Sequence, residues 1–216
     1  MENTLHSQQS LHPEDELQYI RKIIADSRAA FVEDGKPYIV WGLLVAIGMT
    51  ITYISALMNR DLYTGFIWIG LTLLGYSYIF YYVRKKKKQP ARAQSFVDRI
   101  QGAIWGACSG SIGLVVLLLT FNYQFDKAFG SISPVYICFI SAVILGIAYF
   151  LSGIANDLNW LRNIGFAWWA GGVAMYIWPS IHVLGIYAAM LILFQVVPGI
   201  ILQKRYRRLT TAQAEA

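Results

Sequence analysis

Charge is what this sequence has least of, and the shortage is organised. Only 14% of its 216 residues are Asp, Glu, Lys or Arg, against roughly 25% in an ordinary soluble domain. Five blocks hold no charge at all: Pro37 to Asn59, Leu62 to Val83, Ile100 to Phe125, Ala128 to Asn156, and Asn163 to Gln203. Acids missing from those blocks disfavour a carboxylate relay of the kind that proton- or sodium-coupled pumps use. There are two cysteines, both inside apolar blocks, which fits small buried side chains and argues against a disulfide framework. No His-x-x-x-His or carboxylate cluster is present to hold a metal, and two Cys alone do not make a structural zinc site. A Gly-rich phosphate loop is absent too. No cofactor, metal or catalytic residue is therefore expected.

What fills the blocks is apolar and aromatic: 56% hydrophobic residues and 15% Phe, Trp and Tyr, with a mean hydropathy of +0.47. About 20 apolar residues span a bilayer as a helix. The first four blocks each hold one such helix. The fifth has 41 residues and would measure roughly 60 Å as a single rod at 1.5 Å per residue. Pro179-Ser180 divides it. The reading is an all-α polytopic membrane protein with six spans, at 37–58, 63–83, 100–121, 134–155, 163–178 and 183–203. Ahead of them lie a polar tail at 1–13 and an amphipathic helix at 14–36, with Leu17, Ile20, Ile24 and Phe31 at helical spacing. Residues 204–216 form a closing tail. Of 18 Lys and Arg, 16 lie before span 1, between spans 2 and 3, between spans 4 and 5, or after span 6; only Arg60 and Lys127 fall elsewhere. That asymmetry places both termini in the cytoplasm. It also gives the basic balance a topological cause, so nucleic acid is not an expected partner.

Several features single out residues. Gly102, Gly106 and Gly110 recur every fourth residue in span 3, and Gly42, Ala46 and Thr50 do so in span 1. Such stripes let helix backbones approach closely in lipid, within the chain or across a homo-oligomer. The Arg84-Lys85-Lys86-Lys87-Lys88 run reads as a topological anchor facing anionic head groups of the bilayer. Trp41, Trp105 and Trp169 are each 64 residues apart. Leu74-Gly75…Tyr78 and Leu145-Gly146…Tyr149 repeat in spans 2 and 4, a faint echo of duplicated hairpins. Tyr76, Tyr78, Trp168 and Tyr176 lie deep enough to line an aromatic pocket for an apolar or cationic ligand. Gln195 stands one turn before Pro198-Gly199, where the missing backbone donor loosens the helix. Asp157 and Arg162 are the one close pair of opposite charges at their membrane edge.

The stretch Tyr19-Ile20-Arg21-Lys22-Ile23-Ile24-Ala25-Asp26-Ser27-Arg28, followed by Asp34-Gly35-Lys36-Pro37-Tyr38-Ile39-Val40-Trp41-Gly42, resembles the start of uncharacterised bacterial six-span integral membrane proteins. The resemblance implies a bacterial inner (plasma) membrane and carries no activity or site residue. Function is expected to be non-catalytic: binding or passing a small apolar or uncharged molecule through an aromatic-lined pocket. Two alternatives stand beside it, a small membrane enzyme working around Asp157 and Arg162, and a scaffold with no ligand.

Overall fold

A computed structural model describes residues 34–59, 64–87, 96–125, 134–214. The amphipathic segment expected before residue 34, the Asn122 to Ser133 loop beyond residue 125 and the end of the Arg84 to Lys88 run lie outside them. Among the described residues there is no strand, and the architecture is all-helical. Six rods follow in order: α1 (Lys36–Leu57), α2 (Thr64–Lys87), α3 (Phe96–Phe125), α4 (Pro134–Ala155), α5 (Asn159–Ile177), and a last rod made of α6 (His182–Leu191), a π-helical turn (Ile192–Val196) and α7 (Val197–Ala214). Four of these rods are long and apolar enough to cross a membrane: α1, α2, α4 and the last. In α5, Asn159, Arg162 and Asn163 near its start dilute the apolar content.

The core is built by α1, α4, α5 and the last rod, with α3 packed on α4 and α2 chiefly on α1. Tyr38, Ala46, Met49, Cys138, Ala142, Tyr149, Trp168, Met175, Leu184, Tyr187 and Leu191 meet in one apolar cluster. α2 buries almost none of its surface, since it touches the bundle along one narrow line. That line is small-to-large: the Trp41 ring lies over Gly75, and Gly48 faces Trp68, whose Nε1–H donates to Thr52 Oγ1 at 3.0 Å.

The closest helix pair is α4 with α5, and glycines explain it. A Cβ on Gly165 would stand 2.8 Å from the Gly146 carbonyl oxygen and 2.8 Å from the Phe150 nitrogen; one on Gly153 would strike the Arg162 backbone. Gly172 rests on Ala142, and Trp169 covers Gly146 while donating its Nε1–H to the Val143 carbonyl at 3.1 Å. Gly146 and Gly153 on one helix, and Gly165 and Gly172 on the other, are spaced by seven. This is the period of a left-handed helix pair.

The stripe of period four on α3 behaves otherwise. Gly102, Gly106 and Gly110 are exposed, and among the described residues nothing comes within 4 Å of a Cβ built on any of them. Among the described residues they make no intramolecular contact, and α3 turns its Gln101–Trp105–Cys108 face inward. The hairpin echo is likewise not carried by equivalent contacts. Trp41 covers the glycine of its own hairpin, Trp169 covers that of the preceding one, and Trp105 meets Tyr38 and Tyr149.

The α4–α5 turn also explains Asp157. Leu158 N–H donates to the Gly153 carbonyl at 2.8 Å and Asp157 N–H to the Ile154 carbonyl at 3.2 Å, with Asp157 at φ 54°. This is a Schellman cap, whose left-handed position glycine fills most readily. Replacing Asp157 by Gly is expected to raise stability by about 0.5–1 kcal/mol, measured by thermal unfolding of the purified protein. A loss of stability would mean that the carboxylate makes a contact of its own.

Candidate functional site

Buried polar side chains are few, and apart from Ser55 and Ser141 the described ones lie in the half of the bundle nearest the basic residues. The first group joins three helices. Gln101 Nε2 donates to Ser152 Oγ at 2.8 Å and to the Tyr38 hydroxyl at 3.1 Å. Trp105 Nε1–H donates to the same Ser152 oxygen at 3.1 Å. Asn156 Nδ2 donates to Gln101 Oε1 at 3.3 Å and to the Ser152 carbonyl at 2.8 Å. Around this chain the rings of Tyr38, Trp105 and Tyr149 pack mutually, with centroids 4.7, 5.4 and 5.9 Å apart. Tyr38 belongs to α1, Gln101 and Trp105 to α3, and Ser152 and Asn156 to α4. The bonded group therefore ties α3 to both α1 and α4.

The second group is the last rod against α1. Pro198 has no N–H, and its ring crowds the carbonyl one turn earlier. The chain answers with one wide turn, in which Val197 N–H reaches back five residues to the Ile192 carbonyl. Such π-turns inside helices recur at functional sites. Gln195 sits in this turn, 2% exposed, and its Oε1 is buried with no hydrogen-bond donor. Gly42 of α1 faces it, so close that a Cβ there would meet Gln195 Cγ at 3.1 Å and Val196 Cγ2 at 2.9 Å. Trp168, fully buried on α5, also leaves its Nε1–H without an acceptor. Its ring is 6.1 Å from Phe194 and 5.8 Å from Tyr187. Trp168 is nine residues from the start of α5 and Gln195 nine residues from Lys204. At 1.5 Å per residue both lie roughly 14 Å inside the same end of the bundle.

The expected aromatic set is thus divided. Trp168 and Gln195 are both buried, and the Trp168 ring reaches the π-turn at Phe194, next to Gln195. Tyr76 and Tyr176 are 52% and 60% exposed, and Tyr78 stacks on Tyr82 at 6.2 Å near the end of α2. Helical phase accounts for Tyr176: Trp168 and Met175 share the buried face, and the next residue is turned about 100° away. Tyr76 neighbours Gly75, the residue that carries the α1 contact, and lies outside it with its ring 5.5 Å from Trp41. Gly42 and Ala46 are both buried between α1 and the last rod.

The basic end is tied by Asp34. Its Oδ1 accepts the Lys36 N–H at 3.1 Å, and its Oδ2 accepts the Tyr82 hydroxyl at 3.0 Å, with Lys36 Nζ at 3.8 Å. At the opposite end the Tyr53 hydroxyl and His182 Nδ1 are 2.8 Å apart. Asp157 is exposed, and no ion pair joins it to Arg162, whose backbone packs on Gly153. Among the described residues no three His, Cys, Asp or Glu come together as a metal site would need. Gln101, Ser152, Asn156 and Gln203 escape a reading by charge because each is neutral and sits at the edge of an apolar block. Compared with family models, curated proteins and solved structures, the chain matches none of them.

Proposed function

We propose that this is a six-span protein of a bacterial inner membrane, with both termini in the cytoplasm, that binds a small uncharged molecule without chemistry. Sixteen of 18 basic residues on alternate connections support the orientation, and α3 and α5 would complete the six spans. One observation carries the binding reading: Gln195 Oε1 and Trp168 Nε1 are buried, without partners, at one depth beside a π-turn. A buried polar atom left unpaired costs about 1–3 kcal/mol, and a bound molecule or ordered water removes that cost. The absence of charge around both atoms favours a neutral ligand over an ion. Anionic head groups would lie against Arg84 and its neighbours, and the open glycine face of α3 would serve contact between copies of the chain.

The test uses the full-length protein in lipid nanodiscs, titrated with 6-bromohexanamide, whose bromine quenches only nearby indoles. The signal of Trp168 is isolated by subtracting a Trp168→Phe variant. Saturable quenching of Trp168 is the expected outcome. Quenching that rises linearly, as for a solute merely dissolved in the bilayer, rejects the reading.

A further inference from the structure

Gln195 is not alone on its helix face. Gln203, eight residues on, is also buried, at 7% exposure, and its Oε1 also lacks a donor. Gly199 lies midway between them. The three residues face one line of α1. Gly42 meets Gln195; a Cβ on Gly199 would stand 2.9 Å from Tyr38 Cβ; one on Gly35 would meet the Gly199 carbonyl and, at 2.7 Å, the Gln203 nitrogen. This is a seam about 12 Å long at 1.5 Å per residue, with a carboxamide oxygen at each end and glycine contacts between. Gln203 adjoins Lys204 at the basic edge, and Gln195 lies in the interior. Both orphaned seam atoms are acceptors; Asp34, next to Gly35 at the Gln203 end, is already engaged by Lys36 and Tyr82.

We infer that the molecule bound is an uncharged hydrogen-bond donor, bearing N–H or O–H on an apolar body, taken up at Gln203 and held at depth by Gln195. The inference rests on the binding reading above and adds the ligand's chemistry and its side of entry. The glycine contacts place the two helices close together between the glutamines, so passage needs them to part. The π-turn beside Pro198 is the place where the last rod can yield. A cation would be a poorer ligand at depth, since it would leave water for Gln195, which has no described countercharge beside it.

The experiment compares 6-bromohexanamide with its N,N-dimethyl analogue, which keeps the carbonyl and loses both N–H donors, and with 6-bromohexylammonium, all by Trp168 quenching in nanodiscs. The primary amide is expected to bind at least ~10-fold more tightly than the dimethyl amide, the worth of one hydrogen bond to a buried acceptor. Gln195→Met, which keeps the side chain's length, is expected to erase that preference. Gln203→Met is expected to slow the approach to saturation ~10-fold without changing its extent. Equal binding of the two amides to the wild type overturns the donor requirement while leaving a neutral-ligand site in place. Ammonium binding as tight as the amide overturns the uncharged class, and an unchanged rate in Gln203→Met removes Gln203 from the route. No saturable quenching by any probe rejects the binding reading itself, and this inference with it.

Discussion

Gly165→Val is expected to lower the stability of this protein by about 3 kcal/mol or more. For a chain of this length that corresponds to a fall of about 10 °C in Tm, read by thermal unfolding in detergent. The reason is the identity of the neighbours. Around Gly165 a Cβ meets the Gly146 carbonyl and the Phe150 nitrogen, and backbone cannot rotate aside as a side chain can. By contrast, a Cβ on Gly171 meets only the flexible end of Met190, which can adjust. Gly106→Val is the control. No described residue lies within 4 Å of a Cβ there, so its stability should stay within about 0.5 kcal/mol of the wild type. If copies of the chain associate through α3, the same variant loses the cross-linked dimer while keeping its Tm. Equal damage from Gly165→Val and Gly106→Val would mean that the α4–α5 seam is not where the bundle is tightest.

That contrast shows which parts of the fold the sequence discloses. Runs without charge reveal helices long enough to cross a membrane, because length and composition are properties of one segment. Which face of a segment meets which neighbour depends on two helices at once. A search for period four finds Gly102, Gly106 and Gly110, which face away from the bundle. The working seam has period seven and is split between α4 and α5, with Gly146 and Gly153 opposite Gly165 and Gly172. Neither half stands out when read alone.

The candidate site follows the same division. Gln195 beside Pro198 is visible in the sequence because a proline in a helix has a local consequence. Trp168 is visible because a tryptophan at that depth needs a hydrogen-bond acceptor. Tyr76 and Tyr176 look equivalent to Trp168 by composition and depth, and only helical phase separates them. Gln101, Ser152 and Asn156 are far apart in the chain and meet through the approach of α3 to α4. Asp157 presents the reverse case. Its charge suggests chemistry, whereas its φ of 54° shows a residue ending a helix, for which the backbone explains the position.

Gln195→Met is expected to make the protein more stable, against the usual direction of a buried substitution. The amide oxygen has no donor, so removing it relieves a desolvation cost of about 1–3 kcal/mol. Methionine fills nearly the same volume and adapts to irregular surroundings. The Gly42 contact runs through Gln195 Cβ and Cγ, atoms that methionine keeps. Tm in nanodiscs without added ligand should therefore rise by about 2–12 °C, and saturable quenching of Trp168 should weaken in the same variant. A residue kept at a cost to stability, whose removal costs binding, is what a ligand site looks like thermodynamically. A fall in Tm would show instead that Gln195 is satisfied in the folded protein by a neighbour or an ordered water, and the argument for a ligand there would lose its basis. Gln203→Met extends the comparison along the seam. Its oxygen is also unpartnered, but it lies beside Lys204 at the basic edge, where water is nearer. Its gain should be smaller than that of Gln195→Met, because the cost of an unpaired acceptor grows as the local dielectric falls.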